Sequence, residues 1–255
     1  MKKGQKIIIT IMGLVLALII LLLFTKVFKF DKKDTTKYPE VTETQIKELY
    51  ELFSVKDYNN NVSFYIGNYI TNNNINYSVI SIVTYDYIQR TNPFKFETIT
   101  TEDENITENK YELLSKINKE YFLETVKYLF GKTNYYLIDF KIDATKSAKI
   151  KDDYEYLYIY ETDNKVDDNI IYYKGLESYT VENSNESIKL IEYFLKCNKT
   201  TKICYNTEGQ NEVVNNKVKY SEGMDISTYI NDLQKYEHKF VYENDHYRYE
   251  STNIK

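Results

Sequence analysis

The sequence predicts an α+β domain behind an N-terminal membrane anchor, with helices packed on a mainly antiparallel β-sheet that ends in a β-hairpin. Three observations carry that expectation. An uncharged apolar run fills residues 7–24, the following segments repeat their apolar residues with a 3.6-residue period, and after Gly131 the period falls to two. Composition agrees: 42% hydrophobic and 16% aromatic residues suffice for a core, and two prolines and seven glycines exclude collagen-like and low-complexity chains.

The background composition sets how much any motif is worth. The 255 residues include 25 Asn, 31 Lys, 28 Ile and 28 Tyr, but 2 Arg and no Trp. That is the footprint of an AT-rich genome, in which runs of Asn, Lys or Tyr arise by drift.

Ile7 to Phe24, IIITIMGLVLALIILLLF, holds 18 residues without a charge. At 1.5 Å per residue it covers about 27 Å, close to the hydrocarbon thickness of a bilayer. A cleavable signal peptide competes, because Lys2, Lys3 and Lys6 precede the run. The run exceeds the usual signal core, however, and Thr25-Lys26-Val27-Phe28-Lys29 offers no small-x-small cleavage site. The chain is therefore divided into a cytoplasmic tail (1–6), a transmembrane signal anchor (7–28), a tether (29–43) and an extracytoplasmic body (44–255), helical over 44–131 and β-rich over 132–255. Lysines beyond the run outnumber those before it, against this orientation; the short six-residue tail favours it. Removing the five lysines and no acids of residues 1–30 from the net charge of −5 leaves −10. So acidic a body repels phosphate backbones, so no nucleic-acid partner is expected.

Thr42 and Gln45 form a capping box ahead of Ile46, Leu49, Tyr50 and Phe53, spaced as one helix face. A second helix is expected over Asn76–Gln89, with Val79, Ile82, Val83 and Tyr87 inward and Pro93 beyond its end. A third spans Asn118–Phe130, with Gly131 as its left-handed cap. Lys110–Ile117 reads equally as helix or strand. Tyr136, Ile138, Phe140 and Ile142 alternate with polar residues and predict a strand, as do residues 154–161, 170–174, 177–181, 188–196 and 203–206. Asp225 can cap a last helix carrying Ile226, Tyr229, Ile230 and Leu233.

At the C-terminus a two-residue turn at Asn244-Asp245 pairs Tyr242 with Tyr247, Phe240 with Tyr249 and Lys239 with Glu250. A one-residue slip destroys the aromatic and charge matches together.

The anchor, the composition, VKYLFGK at 126–132 and YEHKFVYENDHYRYES at 236–251 give the chain a layout that resembles uncharacterised single-pass membrane-anchored or lipoprotein-like proteins of low-GC Firmicutes and Mollicutes relatives. The resemblance implies nothing about activity.

Few residues point to chemistry. The glycines are isolated, so no phosphate-cradling loop exists, and no GxSxG elbow occurs. The histidines read as two solvated strand residues held apart, His246 at the turn and His238 opposite Ser251, so no shared zinc site forms. Asp163, Asp167 and Asp168, with Asn164 and Asn169, lack EF-hand spacing and read as a solvated turn. No metal or other cofactor is expected. Cys197 and Cys204 flank NKTTKI between two strand-like runs and either oppose each other as a hairpin disulfide or remain free thiols. Tyr154, Tyr156, Tyr158 and Tyr160 share one strand face. That stripe can pack in a core, receive a protein partner or stack a sugar, in that order, since Trp is absent.

The resulting functional expectation is an anchored domain with a non-catalytic binding or structural role at the cell envelope. Its partners are the bilayer through residues 7–28 and an envelope protein. The alternative is an envelope hydrolase using a carboxylate pair distant in sequence.

Overall fold

The computed structural model describes residues 38–53, 69–71, 73–100, 112–151, 155–162, 169–208 and 211–255. The tail, the anchor and most of the tether fall on residues 1–37, outside the described residues, as do Asp163, Asn164, Asp167 and Asp168. Among the described residues no helix is long and apolar enough to cross a membrane. Pro39–Lys255 forms one compact unit, and its architecture is α+β with antiparallel strand pairing.

Among the described residues three α-helices form where capping and periodicity place them. In α1 (Glu43–Leu52) the Thr42 hydroxyl accepts from the Gln45 amide at 3.2 Å and the Gln45 side chain accepts from the Thr42 amide at 2.9 Å. Two of the orphan amides of the first turn are thereby satisfied. α2 (Tyr77–Thr91) starts at Asn76, whose side chain accepts from Ser78 N at 2.8 Å. It is buried nearly all round, Ser81 and Thr84 included, and so is the central helix of the core. α3 (Lys119–Phe130) is capped by Asn118 and closed by Gly131 at φ 65°, and it buries Phe122, Val126, Leu129 and Phe130.

Among the described residues twelve strands build two sheets. The smaller has β2 (Phe96–Glu97), β3 (Leu113–Asn118), β6 (Tyr156–Glu161), β5 (Lys146–Ile150) and β4 (Phe140–Lys141), in that order. β3 resolves the ambiguous segment before α3 as strand, so the helical half contributes to the sheet. The alternation over 136–142 yields only the two-residue β4. Tyr135, Phe140 and Ile142 point inward but Tyr136 is 74% exposed, so the period breaks between 138 and 140. Tyr135 is held by its hydroxyl, which bonds Ser81 Oγ at 2.5 Å and Tyr77 O at 2.9 Å.

The larger sheet runs β1 (Tyr69–Thr71), β12 (His246–Ile254), β11 (Gln234–Glu243), β8 (Ser187–Asn198), β9 (Ile203–Glu208), β10 (Asn211–Lys219), with β7 (Ile170–Glu182) on β8. Residues 196 and 197 of β8 pair with both β7 and β9, so those two strands lie on opposite edges of β8. The two separate strands expected over 170–181 are one, continued through a bulge between Leu176 and Ser178. Gly175 sits opposite Tyr193, and a Cβ at 175 would collide with that phenol ring, so the glycine gives the ring its place. The last helix is a 3₁₀ helix, Ile226–Asp232, started by Asp225 accepting from Ser227 N at 2.9 Å.

The C-terminal hairpin turns at Asn244-Asp245, both at positive φ, and pairs Tyr242 with Tyr247 and Phe240 with Tyr249. A bulge at Glu250 then shifts the register, so Lys239 lies opposite Ser251 and His238 opposite Thr252. Lys239 and Glu250 still meet, at 2.7 Å.

β8 is buried on both faces because both are covered. Ile188, Leu190 and Phe194 join the main core with the three helices and one face of the smaller sheet. Tyr193, Leu195 and Cys197 join a second cluster with Val218, Ile226 and Leu233.

Candidate functional site

The described part of the tyrosine stripe is packing. Tyr154 lies outside the described residues, Tyr156 is half-buried, and Tyr158 and Tyr160 are buried with Leu113. The cause is position: β6 is the central strand of its sheet, and Leu157 and Ile159 on its other face belong to the main core. Tyr158 is flanked by Lys116 on β3 and Lys149 on β5, whose stems run beside the rings. Lys116 Nζ lies 4.4 Å from the Tyr156 ring centroid and Lys149 Nζ 5.7 Å from that of Tyr160. Tyr158 and Tyr160 therefore present no open stacking face.

Cys197 and Cys204 are directly opposed on β8 and β9 and joined in a disulfide, their Cα atoms 4.0 Å apart. The intervening turn is organised by Asn198, whose side chain accepts from the amides of Thr200 at 2.9 Å and Thr201 at 2.8 Å. Both sulfurs are buried in the second cluster.

His238 corrects the reading of two solvated histidines: it is fully buried. With Lys174 and Glu192 it forms a polar cluster on the core face of three adjacent strands. Lys174 lies opposite Phe194, Glu192 opposite Tyr236 and His238 opposite Leu190. The pleat thus aims all three at the C-terminal end of α1. Lys174 Nζ donates to the carbonyls of Tyr50 and Phe53, each at 2.8 Å, lies 4.1 Å from the Tyr50 ring centroid, and is 3.4 Å from Glu192 Oε2. Burial pushes the Lys174 ammonium below its ordinary pKa, while the Glu192 carboxylate opposes that shift. His238 Nε2 stands 3.6 Å from the same Oε2, and its Nδ1 is 2.7 Å from Thr252 Oγ1. Thr252 continues to the Tyr249 hydroxyl at 2.9 Å, which donates to Ile70 O at 3.3 Å. The cluster anchors α1 to the sheet and reinforces its edge strand β1.

The second histidine helps shape a surface cleft. Gln45, Glu48, Leu49 and Leu52 of α1, Tyr87 of α2, Tyr128 and Leu129 of α3 and the hairpin end at Asp245–Tyr247 enclose about 160 Å³. His246 stacks on Tyr128 with centroids 3.8 Å apart and 14° between planes. Its Nε2 is 2.6 Å from Tyr128 O and its Nδ1 2.9 Å from Asn244 O. Both contacts are to backbone carbonyls, one in the hairpin turn and one in the last turn of α3, so the ring ties the hairpin to that helix. Tyr128 is 43% exposed and Tyr87 half-buried, their centroids 6.3 Å apart. The Tyr87 hydroxyl is pushed up to about 12 by burial first, then by Tyr128 and the Glu48 charge. Burial likewise raises Tyr128, and Glu48 adds to it. The cleft is an apolar and aromatic notch with carboxylates of Glu48 and Asp245 at its lining.

Sequence reasoning missed both features. The parity of β8 and the hairpin register contained the signal for the buried cluster. The cleft joins four separate segments, and nothing local marks it. Among the described residues no group of three or more His, Cys, Asp or Glu side chains is arranged to hold a metal ion. No family model matches this chain, and neither a curated protein nor a solved structure matches it.

Proposed function

We propose that the chain is a single-pass membrane protein with its N-terminus in the cytoplasm, whose extracytoplasmic domain binds a protein partner at the cell envelope in a non-catalytic role. The observation that carries this reading is the Cys197–Cys204 disulfide, buried in a body that follows an uncharged 18-residue run. Disulfides persist outside the reducing cytoplasm, and a run of that length suits a bilayer better than a cleavable leader. The layout shared with membrane-anchored proteins of low-GC Firmicutes supports the same arrangement.

The α1–α3–hairpin cleft is the recognition surface in this proposal. Tyr87, and the face of Tyr128 that the stacked His246 leaves uncovered, lie beside Glu48 and Asp245, a combination that favours a cationic side chain on the partner. A basic segment of an envelope protein is thus the occupant. The test has two parts. Protease treatment of intact cells should digest the body and leave the tail protected. A photocrosslinker at position 87 of the membrane-embedded chain should trap a partner through a Lys- or Arg-bearing segment, and Glu48→Lys should abolish the adduct. A body protected in intact cells and cut only after lysis defeats the orientation; a crosslink unaffected by Glu48→Lys defeats the cleft.

A further inference from the structure

The C-terminal end of α3, which contributes Tyr128 to the cleft, also borders a second cavity of different chemistry. About 440 Å³ is enclosed by residues that include Asn73, Tyr77, Lys132, Thr133, Asn134 and Arg248. No carboxylate lines it, although residues 31–255 carry a net charge of −10 once the five lysines of residues 1–30 are set aside from the chain's −5. Lys132 has no ion-pair partner among the described residues, and its Nζ stands 5.7 Å from the Tyr77 ring centroid. Burial alone lowers its pKa, as for an ammonium partly stripped of water with no acid beside it.

Arg248 is the second cation. It is one of two arginines in a chain with 31 lysines, and the other, Arg90, is taken up by Glu51 at 3.5 Å. Its side chain is 22% exposed; one terminal nitrogen pairs with Glu243, while its Nε is buried without a hydrogen-bond partner. The guanidinium is held between Glu243 and Gly131, where a Cβ would strike it. The fork is therefore fixed in orientation, and Lys at 248 could not reproduce its planar set of donors.

A structural account assigns both cations to the negative end of α3. That end is worth about half a charge, less than the full charge of Lys132 alone, to which Arg248 adds what its pairing with Glu243 leaves over. Tyr77, the first residue of α2, also lines the cavity and brings the positive end of a second helix beside it, so the two helix ends offset each other. His246 and the Gly131 amide already satisfy Tyr128 O and Lys127 O at the end of α3. The cavity keeps an excess of positive charge and of donors.

We infer that the cavity between the start of α2, the end of α3 and Arg248 binds a phosphate group. A guanidinium, an ammonium and the side chains of Asn73, Thr133, Asn134 and Tyr77 supply more donors than the two oxygens of a carboxylate can use; a phosphate presents three or four oxygens and up to two charges. The phosphate is that of a lipid headgroup or a free small-molecule phosphate.

The test is calorimetric titration of the full-length chain, in detergent, with inorganic phosphate, glycerol 3-phosphate and acetate. Saturable binding of either phosphate, at least tenfold tighter than acetate, is expected. Preference for inorganic phosphate assigns the free ion, preference for glycerol 3-phosphate an esterified phosphate, and competition of that ester by phosphatidylglycerol added to the detergent micelles the lipid headgroup. Arg248→Lys and Lys132→Gln should each weaken binding about tenfold or more. Lys132→Gln leaves the Gly131 contact intact, so its thermal midpoint should stay that of the parent. Acetate binding as tightly as phosphate, no saturable binding, or affinity unchanged in Lys132→Gln overturns the inference.

Discussion

The ammonium of Lys174 and the carboxylate of Glu192 lie 3.4 Å apart on the core face of the large sheet, with Glu192 fully out of water. Taking such a pair from water costs nearly what their attraction returns, whereas losing one partner strands the other charge. Lys174→Met should therefore lose about 3–5 kcal/mol in urea unfolding. Lys174→Met/Glu192→Leu should recover part of that loss, but not all, because the carbonyls of Tyr50 and Phe53 also lose their donor. Equal additive losses in the cycle would mean that the two groups are not coupled.

Alkaline titration should expose the buried phenols. Burial pushes Tyr50, Tyr85, Tyr87 and Tyr135 up to about 12, and Tyr236 higher still. Their raised folded-state pKa means that their contribution is complete below pH 10 and is lost as pH climbs toward 12, since the unfolded chain releases its protons first. Tyr85 and Tyr135, the most enclosed of those at about 12, together account for on the order of 5 kcal/mol, comparable with the stability of a whole domain. Lys174, lowered in the fold, acts in the opposite sense as it deprotonates, but it is one group. With no Trp in the chain, tyrosinate absorbance reads this directly. One set of tyrosines should ionise near pH 10, and a second set only together with the collapse of circular dichroism. A single smooth titration complete before the fold is lost would contradict the burial.

Local patterns told most about local structure. Thr42 with Gln45, Asn118 with Gly131, and Asn244-Asp245 between matched aromatics were legible because each works within a few residues. Tyr136 and Ile138 misled because alternation says nothing about which segment a strand will pair with, and β4 finds only Ala148 and Ser147 opposite it. The stripe at Tyr158 and Tyr160 was visible as a face, but a central strand has two covered faces and sequence parity cannot distinguish water from a neighbouring layer. His238 was misplaced because the Glu250 bulge changes its partner, and because what buries it, Phe53 at 4.9 Å between ring centroids, arrives from a helix 185 residues earlier in the chain. The cleft and the Arg248 cavity are made by segments that meet only in three dimensions, so no spacing announces them.

Two glycines provide a matched pair. Gly131 at φ 65° and Gly223 at φ 70° both sit where a side chain is strained. Around Gly223 a Cβ meets nothing within 4 Å, whereas at Gly131 it would strike the Arg248 guanidinium. Gly223→Ala should cost about 1–2 kcal/mol, the backbone strain alone. Gly131→Ala should cost more, because it must also push the guanidinium away from α3. If thermal melts place the two variants at the same stability, Arg248 does not rest on residue 131.

The disulfide should stabilise mainly by restricting the unfolded chain. Cys197 and Cys204 are separated by 7 positions, and closing so short a loop is worth about 2–3 kcal/mol in the chain-entropy model. Both sulfurs are buried beside Val218, Ile226 and Leu233, so thiol reagents should find no reactive cysteine until the body unfolds. Reduction should then lower the unfolding free energy by that amount, seen as a lower urea midpoint, while leaving the main core intact, since the pair lies in the second cluster on the far face of β8. Reagent-accessible thiols in the native, unreduced chain, or a midpoint indifferent to reductant once reduction is confirmed by mass, would remove both the bond and the strongest support for a body outside the cytoplasm.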